Sequence, residues 1–156
     1  MDVARVHVRS WQVGYRKLLP DAYLDSLRPE HRAPIYNFGN PDPRKPATIV
    51  ATEGDVISGF VTTGIARDPD VQGSGEVLAL YVDPDRWGQG VGSALLAAAR
   101  ARMLDLGFRS AVLWVLAGNT RAERFYQAGG WRPDGLTRTE SVWGSVADEI
   151  RYRRSL

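Results

Sequence analysis

Near the amino end Val3, Val6, Trp11, Val13 and Leu18 recur at approximately helical spacing, and Pro20 stops the pattern. This predicts a helix from Val3 to Leu19 and a second from Asp21 to Arg28, before Pro29. Asn37 to Pro46, with prolines at 41, 43 and 46, reads as a loop. Ala47 to Thr52 and Ile57 to Ala66 form a strand pair around the turn Glu53-Gly54-Asp55, followed by a second turn region over Asp68 to Gly75. A strand from Glu76 to Val82 leads to a helix from Val91 to Leu106, with Val91, Leu95, Ala98 and Leu104 inward and Gly107 as its cap. A strand over Arg109 to Leu116, a helix over Thr120 to Ala128, and strands over Trp131 to Thr139 and Val146 to Arg153 complete one α/β unit without repeats.

The sharpest feature lies between the Glu76 strand and the helix that follows it. Val82-Asp83-Pro84 ends the strand, and Gly88, Gly90 and Gly92 punctuate the turn. Glycine lets the backbone turn sharply and keeps side chains away from a ligand. The first amides of the next helix have no intrahelical acceptor and lie at the positive end of its dipole. Together these make a receptor for phosphate groups. It is not a nucleotide P-loop, since Ser93-Ala94 rather than Lys-Ser/Thr follows Gly92. Nor does it fit a dinucleotide fold, where Ser93 would have to be a third glycine and an acidic residue should end the next strand.

The loop resembles motif A of the GCN5-related N-acetyltransferases, which reads Gln/Arg-x-x-Gly-x-Gly/Ala after a Val-x-Pro-like strand end. Gly90 and Gly92 take the small positions, while Trp87 stands where Gln or Arg is usual and Arg86 sits one place early. Downstream, Asn119-Thr-Arg-Ala-Glu-Arg-Phe-Tyr-Gln-Ala-Gly-Gly-Trp131 resembles the second signature of the same family, Asn-x-x-Ala-x-x-Phe-Tyr-x-x-x-Gly-Trp/Phe. Asn119 is a good helix N-cap, and Ala122, Phe125 and Tyr126 share one face of the short helix. The resemblance covers about Thr48 to Tyr152.

It implies one N-acetyltransferase domain over residues 1–156, of α/β (α+β) class. Its sheet should be mixed, mostly antiparallel, of six to seven strands, with helices on both faces and a splay between the family's fourth and fifth strands. Family members usually begin with a strand, whereas this chain starts almost directly on a helix. Either that strand is absent or the true start lies upstream. The exposed sheet edge then favours a homodimer or a covering segment.

Composition narrows the setting. The chain has 156 residues, enough for a proper core, and no cysteine, so neither disulfides nor an acyl-cysteine are available. No apolar run reaches the ~20 residues of a membrane span, and Met1-Asp-Val-Ala-Arg lacks a signal-peptide core, which points to a cytoplasmic protein without a membrane partner. Net charge is +2 without a basic stripe, so no nucleic-acid partner is expected. His7 and His31 lack acidic partners at ligand spacing, so no metal is expected.

The resemblance implies acetyl-CoA as cofactor and an amine of a small molecule or a protein N-terminus as acceptor. The pyrophosphate would sit over Trp87, Gly88, Gln89, Gly90, Val91, Gly92 and Ser93. The pantetheine arm would lie along Leu80, Tyr81 and Val82, with Asn119, Phe125 and Tyr126 beside it and the Val82 amide stabilising the oxyanion. Glu76 either takes the amine proton or caps a strand end. By simple alternation it shares a face with Val82, six residues on. Tyr126 would protonate the departing thiolate. Trp11, Tyr15, Tyr36 and Phe38 come from the acceptor side in relatives, and either line its pocket or pack. A catalytically weak CoA-binding or regulatory protein is the alternative.

Overall fold

A computed structural model describes every residue except Asn37, 39–41, Pro43, Trp143 and Gly144. The loop expected from Asn37 to Pro46 lies partly outside the described residues. Among them are the helices α1 (Asp2–Gly14), α2 (Asp21–Ser26), α3 (Pro29–Arg32), α4 (Val91–Asp105) and α5 (Thr120–Ala128). The strands are β1 (Ala47–Glu53), β2 (Val56–Ile65), β3 (Gly75–Val82), β4 (Ser110–Leu116), β5 (Arg132–Val142) and β6 (Ser145–Ser155). None of the described helices is long and apolar enough to cross a membrane.

The element order matches the sequence pattern, with three informative differences. The first helix stops at Gly14, a poor helix former, and Leu18 and Leu19 turn back to bond the Tyr15 carbonyl. The second splits in two because Leu27 and Arg28, ahead of Pro29, are extended, with ψ of 135° at each. In α4 the buried stripe is Leu95, Leu96, Ala99 and Met103, while Ala98 and Leu104 are only partly covered.

The six strands form one sheet in the order β1-β2-β3-β4-β6-β5. Neighbours run antiparallel except β3 and β4, which are parallel. That pair touches only over Gly75 to Val77 against Ala111 to Leu113. Beyond it the two strands part, although β3 stays paired to β2 as far as Val82 and β4 to β6 as far as Leu116. This is the expected splay, between the third and fourth of the strands described here. No described strand covers the outer edge of β1.

Helices cover both faces. Val61, Val77 and Val82 pack with Leu95, Leu96, Ala99 and Met103 on the α4 face. Phe60 packs with Val3 and Val6 on the α1 face, where Tyr81 also joins Val8, Trp11 and Leu24. The α4 approach is close: a Cβ at Gly59 would stand 2.9 Å from Leu95 and 3.0 Å from the Tyr81 carbonyl. Only glycine admits that contact without rearrangement.

His7 lies wholly inside the α1 face. Its ring stacks on Tyr81 at 4.7 Å, and Nδ1 bonds the Tyr36 hydroxyl. Burial, reinforced by Arg32, pushes its pKa down to about 3. The unfolded chain takes up this proton near pH 6.5, but the folded one cannot until far lower, so stability falls as pH drops from 6.5 towards 3. The imidazole accounts for at most roughly 5 kcal/mol of that loss. His7→Gln should flatten the curve of unfolding free energy against pH in this window. Parallel curves for the two proteins would show that His7 does not set the dependence.

Candidate active site

One cavity of about 570 Å³ lies at the strand gap and is lined by residues from both faces of the sheet. On the α4 side it meets Gly88, Gly90, Gly92 and Ser93, with Asn119, Phe125 and Tyr126 opposite. On the α1 side it meets Trp11, Tyr15, Glu76, Trp114 and Glu149. The backbone of Leu78 to Val82 forms the wall between.

The turn is built for a ligand's backbone approach. Gly88 and Gly90 have φ of 75° and 84°, a left-handed conformation that disfavours side chains, and a Cβ at either would meet nothing within 4 Å. Gly90 caps α4 with no side-chain hydrogen bond, which leaves the first amides of the helix for a ligand. Gly92 serves packing instead: a Cβ there would stand 3.3 Å from Phe125. The Gln89 side chain turns back to the Asp85 carbonyl, and Val91 packs towards Gly59, so neither side chain lines the cavity.

Backbone direction in β3 decides what the gap can bond. The Asp83 amide donates to Ser58 on β2, so by alternation the backbone groups of Val82 and Leu80 face the gap. The Val82 carbonyl is already taken, accepting from Ser10 Oγ at 2.7 Å and Trp87 Nε1 at 2.8 Å. Its amide and both backbone groups of Leu80 remain for a ligand. Trp87 thus serves the strand end, and its position does not supply a cation.

The register of β3 corrects one expectation. Thr62 pairs with Ala79 but Thr63 with Val77, so Leu78 is an extra residue, a bulge. It sits where β3 leaves β4, and such bulges increase local bend and twist. Side-chain parity flips across it. Val77, Leu80 and Val82 face α4, while Glu76, Ala79 and Tyr81 face α1. Glu76 and Val82 therefore lie on opposite faces.

Glu76 is 2% exposed and lines the cavity. Its carboxylate accepts from the Arg67 amide at 3.1 Å, Nε at 3.3 Å and Nη2 at 2.8 Å. A second pair, Arg138 Nε to Glu149 Oε2 at 2.7 Å, stands on the same side, with the Arg138 guanidinium 4.0 Å above the Trp114 ring. Trp114 Nε1 in turn donates to Asp68.

Arg67, Trp114, Arg138 and Glu149 were not singled out from the sequence. Their signal is weak: Trp114 is a single polar-tipped residue in an apolar strand, pairing across β4, β6 and β5 brings Glu149 and Arg138 near it, and Arg67 joins only through its bonds to Glu76. Of the aromatic residues expected at the acceptor, Trp11 and Tyr15 line the cavity. Tyr36 does not, because its ring packs on Phe60 at 5.4 Å, and exposed Phe38 lies against Tyr36.

Tyr126 is buried against Trp131 and Phe125, and burial pushes its phenol pKa well above 10. Asn119 Oδ1 caps α5 by accepting from the Ala122 amide at 3.3 Å. Gly130, with φ of 86°, makes the left-handed exit. Among the described residues no group of three or more His, Asp or Glu side chains could hold a metal ion.

The site brings together a strand gap, a glycine turn at a helix start and a buried phenol, and the comparisons show the family of the chain. The model of the acetyltransferase (GNAT) family matches residues 8–131, and the chain belongs to that family. It is an acetyl-CoA-dependent N-acetyltransferase.

The uncharacterized N-acetyltransferase YuaI of Bacillus subtilis (strain 168) is 33% identical over 127 residues, covering 81% of this chain and 71% of that one. A mycothiol acetyltransferase of Propionibacterium freudenreichii is 39% identical over 83 residues, covering 53% of this chain but only 26% of its own. In fold the chain is similar to the PaiA N-acetyltransferase of Thermoplasma acidophilum in complex with coenzyme A, with a TM-score of 0.72 and 19% identity over 99% of this chain and 91% of that one.

Proposed function

We propose that the protein transfers an acetyl group from acetyl-CoA directly to a primary amine of a small molecule or a protein N-terminus, with both substrates bound at once. The observation that carries this is the single cavity joining the free α4 amides, the strand gap and the carboxylate-bearing α1 face. Relatives named for mycothiol and for ribosomal-protein-S18 alanine represent two sorts of acceptor.

Acetyl-CoA brings a thioester whose carbonyl carbon is open to attack. The residues present fit it. The helix amides after Gly90 suit the pyrophosphate, and the gap-facing groups of Leu80 and Val82 suit the amides of an extended arm that adds to the strand edge. The Leu80 or Val82 amide donates to the carbonyl oxygen as negative charge builds there. Leu80 is the better placed, being two residues nearer to Glu76.

Alkyl amines of pKa about 10 arrive mostly protonated, so a base is needed. Glu76 takes that role on the α1 side, directly or through water, with Arg67 fixing its orientation. With no cysteine in the chain, the acetyl group goes straight to the amine. Tyr126 stays protonated across the working pH range and donates to the departing sulfur.

The test is thiol release from acetyl-CoA against a panel of amines. Amine-dependent release supports the proposal, and Tyr126→Phe should then lower kcat by about 100-fold or more with coenzyme A affinity unchanged. Binding of coenzyme A with release by no amine would favour a regulatory acyl-CoA-binding protein instead.

A further inference from the structure

Four arginines line the cavity, and three are already committed. Arg67 pairs with Glu76 at 2.8 Å, Arg86 with Glu53 at 2.9 Å, and Arg138 with Glu149 at 2.7 Å. The fourth, Arg121 in the first turn of α5, has no carboxylate partner among the described residues. Its guanidinium lies 3.2 Å above the centre of the Trp87 ring. That contact places a cation beside the glycine turn, paired with no carboxylate among the described residues.

The placement is informative because the turn lacks a cation of its own. Position 87 carries tryptophan, and the indole is tied to the Val82 carbonyl. Arg86, next to it, is drawn away to Glu53 at the end of β1. We infer that Arg121, held over the Trp87 ring, is the cation that binds the pyrophosphate of coenzyme A at the α4 turn. A guanidinium suits this work: it stacks on an aromatic face while its edge N–H groups stay free for phosphate oxygens. Burial without a counter-charge lowers the pKa of Arg121, a penalty that a bound anion would relieve.

The inference rests on the coenzyme A reading, and the experiment separates the two. Dissociation constants are measured by titration calorimetry for coenzyme A, dephospho-coenzyme A and pantetheine, on wild type, Arg121→Ala and Arg121→Lys, with circular dichroism as a check on folding. Arg121→Ala should weaken coenzyme A and dephospho-coenzyme A by about 10- to 100-fold, in line with loss of a hydrogen bond to a charged group. Pantetheine, which lacks the pyrophosphate, should bind both proteins equally. Arg121→Lys should recover part of the loss.

Equal coenzyme A affinity in wild type and Arg121→Ala would overturn the inference and leave the cofactor reading intact. An equal loss for pantetheine would assign Arg121 a structural role. A loss for coenzyme A but none for dephospho-coenzyme A would move its contact to the 3′-phosphate. Failure of wild type to bind coenzyme A would instead remove the reading on which the inference rests.

Discussion

Glu76→Gln should lower kcat/KM for the amine by about 100-fold or more, the usual contribution of a positioned base. Coenzyme A affinity should be unchanged, because the side chain faces α1 rather than the α4 turn. The substitution keeps the size of a side chain that is 2% exposed and removes only its charge. Its partner Arg67 is 66% exposed on the side chain, so water can solvate the released guanidinium and folding should survive. Steady-state rates with the panel of amines across pH decide the matter: the variant should be slower than wild type where the amine is protonated, and the deficit should narrow at high pH, where the free amine needs no base. Activity within about threefold of wild type would point to Glu149, the other carboxylate on that side.

Arg151→Met should cost about 3–5 kcal/mol of unfolding free energy, read from urea denaturation, since it strands carboxylates that a buried cation holds together. Arg151 is 3% exposed and binds Asp70 at 2.5 Å, Asp134 at 2.7 Å and Asp68 at 3.2 Å. Asp68 and Asp134 are themselves mostly covered, and with the methionine in place they would lose the cation that balances their charge. The cluster ties the segment before β3 to β5 and β6, and Asp68 also holds Trp114. Wild-type stability in the variant would mean that water replaces the cation around Asp68 and Asp134 at little cost.

Much of the fold was legible because its signals are local. Helix starts at Asn119 and after Gly90, and the alternating strands, follow from neighbouring residues alone. The two motifs located the cavity, and most residues expected to touch the cofactor do line it. What could not be read depends on partners far along the chain. The Leu78 bulge exists only relative to β2, so simple alternation put Glu76 on the wrong face. The Arg67–Glu76 and Arg138–Glu149 pairs need the sheet to be assembled first. Tyr36 looked like a pocket wall until the fold supplied Phe60 and His7 as its neighbours.

The bulge also governs how the acceptor pocket would be re-engineered. Across Leu78, the next position on the side of Glu76 is Ala79, three residues away, and then Tyr81. Ala79 is small and lines the cavity between a carboxylate and an aromatic ring. If the acceptor enters on the α1 side as proposed, a single methyl group at this position limits the room for it. Libraries aimed at acceptor size belong at position 79, whereas changes at Leu80 or Val82 would disturb the cofactor wall and the α4 core.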